Sequence, residues 1–194
     1  MDKQSVEISK TLSWLLRHNL HKTTLKVEED GYVKFDDVLK LPKFKDITVE
    51  QVTYIVNEND KQRFSLIERC GELYIRANQG HSTETGKLIK QSELLTEITE
   101  SLSECIHGTT IKAWALIKDS GLNRMNRTHI HFASGQHATS GFRKSSEILI
   151  YVNMGLAMAD GIKFYLSDNG VILTEGVNGI LDPKYFSLVV KVIN

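Results

Sequence analysis

Apolar spacing changes character partway along the chain, and that change limits the architectures open to it. Up to Val56 helical spacing predominates, broken by one short strand; a hairpin follows, and beyond residue 103 the chain turns mainly β. Ile8, Leu12, Leu15 and Leu16 share one face of a helix predicted over 5–20, with Ser5 as its N-cap. Arg17 and His18 fall in its last turn, where cations suit the helix dipole. A short strand is expected at 31–35, then a brief helix capped by Asp36. Thr48-Val49-Glu50-Gln51 is a capping box, opening a helix that buries Val52, Ile55 and Val56. Two strands, 63–67 and 72–76, flank the turn Arg69-Cys70-Gly71. Helices followed by a hairpin are compatible with a winged helix, a fold often used on nucleic acid.

Residues 83–103 are rich in Thr, Ser, Glu and Lys. Leu88, Ile89, Leu94, Leu95, Ile98 and Leu102 are spaced to support a helix there, which makes the segment a connector. Beyond it a helix is expected over 110–120, strands at 129–131 and 147–152, and a short helix over 153–160. Asp168-Asn169-Gly170 is a hairpin turn between two further strands. The fold class expected is α+β, with one lobe over 1–82 and a mainly β lobe over 83–194 that includes the connector.

Charge narrows function. The 24 basic and 24 acidic side chains cancel, so recognition of a phosphate must come from local Arg clusters rather than a global field. Cys70 and Cys105 are the only cysteines and no CxxC occurs, which argues against a disulfide framework and a thiolate zinc site. No apolar signal segment and no run of roughly 20 apolar residues is present. A cytoplasmic protein, without a membrane partner and monomeric, is the expectation.

The segment 121–133, GLNRMNRTHIHFA, gathers what an anion site needs. Arg124 and Arg127 are close enough to share one side of a turn, and His129-Ile130-His131 alternates like a strand with both imidazoles on one face. An exposed basic turn before a half-buried strand would give the same pattern. Five of the seven histidines lie between His81 and His137, and His81, His107 and His129 each adjoin Gly, Ser or Thr. Gly80-His81-Ser82, His107-Gly108-Thr109 and Ser140-Gly141-Phe142-Arg143 are turns that would let backbone N–H groups approach a ligand. A zinc site from His129, His131 and either His107 or His137 competes with this reading. No carboxylate is placed to complete it, and two Arg neighbours would repel a cation. The dinucleotide fingerprint GxGxxG is absent, which argues against a hydride-transferring dehydrogenase.

Taken in order, Leu12-Ser13-Trp14-Leu15-Leu16-Arg17-His18, Gly31-Tyr32-Val33, Lys61-x-Arg63-Phe64 and Arg76-Ala77-x-Gln79-Gly80-His81-Ser82 lead into His107-Gly108-Thr109. They continue through Met125-x-Arg127-x-His129-Ile130-His131-Phe132, Ser140-Gly141-x-Arg143, Asp160-Gly161-Ile162 and Asn169-Gly170-Val171-Ile172-Leu173-Thr174. This combination resembles the RNA 2′-phosphotransferases, also called tRNA 2′-phosphotransferases, over nearly the whole chain. The resemblance implies an N-terminal winged-helix lobe that handles RNA, followed by an ADP-ribosyltransferase-like lobe that binds NAD⁺. It implies transfer of an internal RNA 2′-phosphate to NAD⁺, leaving a 2′-hydroxyl, nicotinamide and ADP-ribose 1″,2″-cyclic phosphate. The RNA partner it implies includes the tRNA splice junction, where that junction carries a 2′-phosphate.

By the same resemblance Arg17, His18, Arg63 and Arg127 are the catalytic set. His81, Ser82, His107, Gly108, Thr109, His131, Ser140 and Arg143 are the NAD-binding set, with no metal. The phosphate nucleophile is already anionic and nicotinamide departs neutral, so positioning suffices, worth roughly 7–11 kcal/mol of a barrier. The apolar run Val171-Ile172-Leu173 lacks the Glu that protein-modifying ADP-ribosyltransferases carry on a late strand. Two other readings stay open: an RNA-binding module that senses NAD⁺ or ADP-ribose, and an ADP-ribosyltransferase that caps terminal phosphates.

Overall fold

The computed structural model describes residues 2–135, 138, 140–141 and 145–192. The chain divides into two compact units, Met1–Leu94 and Leu95–Asn194.

In the first unit α1 (Lys3–Ser13) starts earlier than Ser5, because Asp2 takes the cap and accepts from Ser5 N at 2.7 Å. A carboxylate at the N-terminus also complements the helix dipole. The helix does not run on as an α-helix to Leu20. Trp14–Asn19 winds as a π-helix, closed by Asn19 Nδ2 donating to Trp14 O at 2.9 Å, and Leu20–Lys22 tightens to 3-10. β1 (Val33–Lys34) leads into α2 (Phe35–Leu39), whose cap position is Lys34, so Asp36 serves in the first turn instead. α3 (Val49–Glu58) opens on the expected capping box: Thr48 N donates to Gln51 Oε1 at 2.9 Å and Gln51 N to Thr48 Oγ1 at 3.3 Å. The hairpin β2 (Phe64–Arg69) and β3 (Glu72–Ala77) turns through Cys70 and Gly71, both at positive φ, as a two-residue hairpin turn demands.

These strands form an antiparallel sheet in the order β1-β3-β2. Leu12, Leu15, Leu16, Phe35, Val38, Val52, Ile55 and Ile75 pack as its core, each worth about 1.5–3 kcal/mol of burial. The connector helix does not form. Two single turns, α4 (Thr83–Gly86) and α5 (Gln91–Leu94), replace it. Tertiary contacts decide the matter: Thr85 is fully buried with His21 Nδ1 at 3.2 Å from its Oγ1, and Lys90 N donates to Glu29 O at 2.7 Å. Leu88, which a continuous apolar face would bury, stays exposed.

In the second unit β4 (Thr96–Ile98) and β5 (Ile106–Thr109) precede α6 (Ile111–Ser120), capped by Thr110 as its side chain accepts from Ala113 N. β6 (Leu122–Asn123), β7 (Ile130–Ala133) and β8 (Ile148–Val152) follow, then α7 (Met154–Ala159). β9 (Phe164–Leu166) and β10 (Val171–Thr174) flank the Asp168–Gly170 turn, where Gly170 lies at φ 74°. β11 (Ile180–Leu181), a 3-10 turn Pro183–Tyr185 and β12 (Phe186–Lys191) complete it.

Seven strands make one sheet in the order β12-β8-β5-β7-β10-β9-β4, antiparallel at every pairing. Ile130, Phe132, Ile150, Phe164 and Ile172 form its core face, and all four residues of β10 are buried. The protein is thus α+β with antiparallel sheets. Among the described residues no helix is long and apolar enough to cross a membrane.

Candidate functional site

Arg17 and His18 sit on the π-helical turn, both half-buried. A π-turn places its residues differently from the α-helical rows before it, and such turns recur at functional sites. Here Leu15 and Leu16 stay in the core. The Arg17 carbonyl is held by Ser82 N at 2.8 Å, and its side chain lies over Gly80. A Cβ built on Gly80 would come 3.3 Å from both Cζ and Nε of Arg17, and Gly80 has φ +88°. Glycine is favoured there by its backbone conformation, and any larger side chain would also press on the guanidinium, which would have to give by a few tenths of an ångström.

The same loop reaches Arg63. Asn78 N donates to Arg63 O at 3.0 Å, and Asn78 Nδ2 donates to Gln62 O at 2.8 Å. Arg63 Nη1 in turn donates to Asn59 Oδ1 at 3.1 Å. Residues 78–82 therefore touch both arginines, Arg63 through its backbone and Arg17 through backbone and side chain. Burial lowers the pKa of the Arg63 guanidinium from its ordinary value, which still leaves an arginine charged at neutral pH. His81 is 3% exposed, and Ser82 precedes α4 with its Oγ buried.

In the second unit the turn that carries Arg127 is built by Arg124. Arg124 Nη1 donates to Arg127 O at 2.6 Å, and Arg127 N donates to Arg124 O at 3.1 Å. The Arg124 side chain lies against Gly179. The two arginines thus differ: Arg124 shapes the turn, whereas the Arg127 side chain is exposed.

β5 and β7 pair only at Ile106↔Ala133. Next to that point the His107 ring crosses the opening, its Nδ1 2.9 Å from His131 O. A carbonyl accepts only, so Nδ1 carries the proton and Nε2 of the neutral ring is an acceptor. Burial lowers the His107 pKa, against the raising effect of that carbonyl. The ring meets Phe132 edge-on at 5.9 Å. Gly108 and Thr109 continue β5 opposite Leu149 and Ile148.

His131 lies half-buried on β7 opposite Leu173. His129 precedes that strand and is 7% exposed; its Nδ1 is 2.9 Å from Thr128 Oγ1 and its ring packs on Tyr165. Burial, with Arg124 adding to it, lowers the His129 pKa to about 4. The ring is thus buried among its neighbours rather than presented to solvent. Ser140 is buried, and Gly141 presses so closely on β7 that a Cβ would fall 2.4 Å from Ala133 Cα. Arg143 and His137 lie outside the described residues.

Sequence reasoning missed Asn59, Asn78 and the seat formed by Gly80. Asn-Asp before Lys61 is an ordinary turn signal, and only the partners found in the fold separate it from a surface turn.

Residues 3–176 match the RNA 2'-phosphotransferase, Tpt1 / KptA family. A Schizosaccharomyces pombe relative is 46% identical over 188 residues, which is 95% of this chain and 51% of its own length. The chain therefore spans about half of that relative. The Danio rerio protein named tRNA 2'-phosphotransferase 1 is 42% identical over 193 residues, 96% of this chain and 85% of its own. The Mus musculus protein of that name is 43% identical over 190 residues, 94% and 76% respectively. With residues 3–176 matched, most of the chain, the protein belongs to the RNA 2'-phosphotransferase, Tpt1 / KptA family.

Proposed function

We propose that the protein is an NAD⁺-dependent RNA 2′-phosphotransferase. Its substrate would be RNA with an internal 2′-phosphate, with a tRNA splice junction as the natural case. The observation that supports this most is the 78–82 loop, which fixes Arg17 and Arg63 together in a chain of this family. In this reading the first unit is a winged-helix RNA-binding lobe and the second an ADP-ribosyltransferase-like lobe. The small β1-β3-β2 sheet with its helices, and the opening between β5 and β7, agree with those assignments.

We assign catalysis to Arg17, His18, Arg63 and Arg127. The co-substrate NAD⁺ supplies a ribose carbon, C1″, bearing a cationic leaving group. A 2′-phosphate oxygen forms a bond to C1″ as the nicotinamide bond breaks, and the electron pair of that bond neutralises the departing ring. No proton need move and no metal is needed, so the arginines serve by holding a dianion in line. In the second step the ribose 2″-hydroxyl attacks phosphorus and the RNA 2′-oxygen leaves. Its proton balance is closed when the RNA oxygen takes up one proton and the ribose hydroxyl loses one. Charge on the crowded phosphate is met by Arg17, Arg63 and Arg127, and His18 is the group we assign to the proton.

For the dinucleotide, His107, Gly108, Thr109, His131, Ser140 and Arg143 form the binding set, with His81 and Ser82. The neutral His107 ring fits a ribose hydroxyl, since its Nε2 accepts while Nδ1 is engaged. Among the described residues no group of three or more His, Cys, Asp or Glu is arranged to hold a metal ion. The chemistry above asks for none. The deciding experiment follows a 2′-phosphorylated oligoribonucleotide with NAD⁺. Cyclic phosphate plus 2′-hydroxyl RNA supports the proposal. Absence of nicotinamide release, or a stalled ADP-ribosylated RNA as the end product, overturns it.

A further inference from the structure

Basic side chains on the first unit's sheet are held in two different ways. Arg69 is neutralised by a carboxylate, Asp30 Oδ2 at 2.5 Å, and stacks on Tyr32 and Tyr74. Arg63, by contrast, has no carboxylate partner among the described residues; the group that holds it is the neutral amide of Asn59.

Asn59 follows the last turn of α3 and is 3% exposed. Its Oδ1 accepts from Lys61 N at 3.0 Å and from Arg63 Nη1 at 3.1 Å. Both partners are donors, so the amide cannot be turned round without facing its own N–H groups to them. Nδ2 is left buried, with no hydrogen-bond partner among the described residues. An orphaned buried donor is uncommon in a residue kept for stability alone.

Aspartate at this position would accept the same two bonds without an orphaned donor. It would also cancel much of the charge on Arg63. Asparagine gives the guanidinium a direction and leaves its full charge for an anion. The backbone around it is fixed too: Gln62, at φ 40°, donates its N–H to Asn59 O at 2.7 Å, and Asn78 N holds Arg63 O.

We propose that Asn59 is a positioning residue for 2′-phosphate transfer, aiming the Arg63 guanidinium at the phosphate without neutralising it. The proposal rests on the role given to Arg63 above.

A double-mutant cycle on the full chain tests it, with Asn59→Ala, Arg63→Ala and the double variant assayed on a 2′-phosphorylated oligoribonucleotide with NAD⁺. Single-turnover rates of both steps are followed, and thermal unfolding is measured alongside. Asn59→Ala is expected to slow conversion of the ADP-ribosylated RNA at least tenfold, with KM for NAD⁺ unchanged. In the Arg63→Ala background the same substitution should change the rate less than twofold. A purely structural role would instead lower both backgrounds alike, and that additive result overturns the proposal.

Should Asn59→Ala fail to fold, Asn59→Asp takes its place, since it keeps the acceptor for Lys61 N–H. It should lose at least tenfold when Arg63 is present and nothing in the Arg63→Ala background; native activity in Asn59→Asp overturns the proposal. A wild-type protein that neither binds nor converts the RNA overturns the proposed function and this role with it. An active wild type with an additive cycle overturns the role of Asn59 alone.

Discussion

Gly80 lies directly beneath the guanidinium of Arg17, with a hypothetical Cβ only 3.3 Å from Cζ and Nε. Gly80→Ala must therefore move the arginine while also forcing a side chain onto a backbone at φ +88°. The strain is about 1–2 kcal/mol, and a small displacement of a catalytic group costs about 10- to 100-fold in rate. A lower melting temperature together with that loss of turnover is expected. Native kcat in a folded Gly80→Ala protein would show that the position of Arg17 does not matter.

Alanine at Arg17, His18, Arg63 or Arg127 should slow the second step at least as severely as the first. The first step needs a clamp, whereas the second also needs charge neutralisation and help for a poor leaving group. Rapid-quench analysis should reveal RNA bearing ADP-ribose on its 2′-phosphate in some of these variants, with Arg63→Ala and His18→Ala the strongest cases. Native rates through both steps in all four would remove the catalytic assignment.

Thr109→Ala should weaken use of NAD⁺ while leaving RNA binding unchanged. One lost neutral hydrogen bond corresponds to about 1 kcal/mol, or about fivefold in KM. Titrating NAD⁺ against a fixed RNA concentration measures this. An unaltered KM would place the dinucleotide elsewhere.

Turnover should survive EDTA. The phosphate is a nucleophile without deprotonation, and nicotinamide leaves as a neutral ring, so no Lewis acid has a task in the first step. Activity abolished by the chelator and restored by magnesium or zinc would reinstate a metal mechanism.

His129 makes stability depend on pH. Its pKa falls from 6.5 unfolded to about 4 folded, so the unfolded chain takes up the proton first as pH drops. The contribution of the neutral, buried ring is complete above pH 6.5 and declines towards pH 4. Between pH 8 and pH 5 the loss is about 2 kcal/mol. Denaturant unfolding across that range should show it, and His129→Gln should flatten the slope. Equal slopes in both proteins would refute a buried neutral ring.

Local signals were the legible part of this fold. The Thr48–Gln51 capping box and the Cys70-Gly71 and Asp168–Gly170 turns all act within a few residues, and each formed. The segment 83–103 misled because its apolar spacing is helical, while contacts from Glu29 and His21 pull it into separate turns. β12 had no alternation to announce it, since Leu188 and Val189 both stay largely exposed on an edge strand.

Within the candidate site the motif residues could be named from the sequence, but their supports could not. Asn59 matters only because the Arg63 side chain folds back four residues, and Gly80 only because Arg17 arrives from α1's continuation. Likewise, spacing by itself offers Arg124 and Arg127 as equals, and it is the resemblance that singles out Arg127. The bond from Arg124 Nη1 to Arg127 O adds what the sequence does not show, that Arg124 builds the turn carrying Arg127.

The π-turn at Trp14–Asn19 makes the spacing between core and chemistry a matter of chain length rather than of residue type. Leu12 and Leu20 anchor the segment on either side, both buried. Between them Asn19 closes the wide turn on Trp14 O, and the Arg17 carbonyl accepts from Ser82 N. Removing one residue from this stretch would let it relax to ordinary helical winding with the same leucines buried, yet swing the arginine off its glycine seat. Over evolutionary time this segment should therefore hold its length as strictly as it holds Arg17, His18 and Asn19.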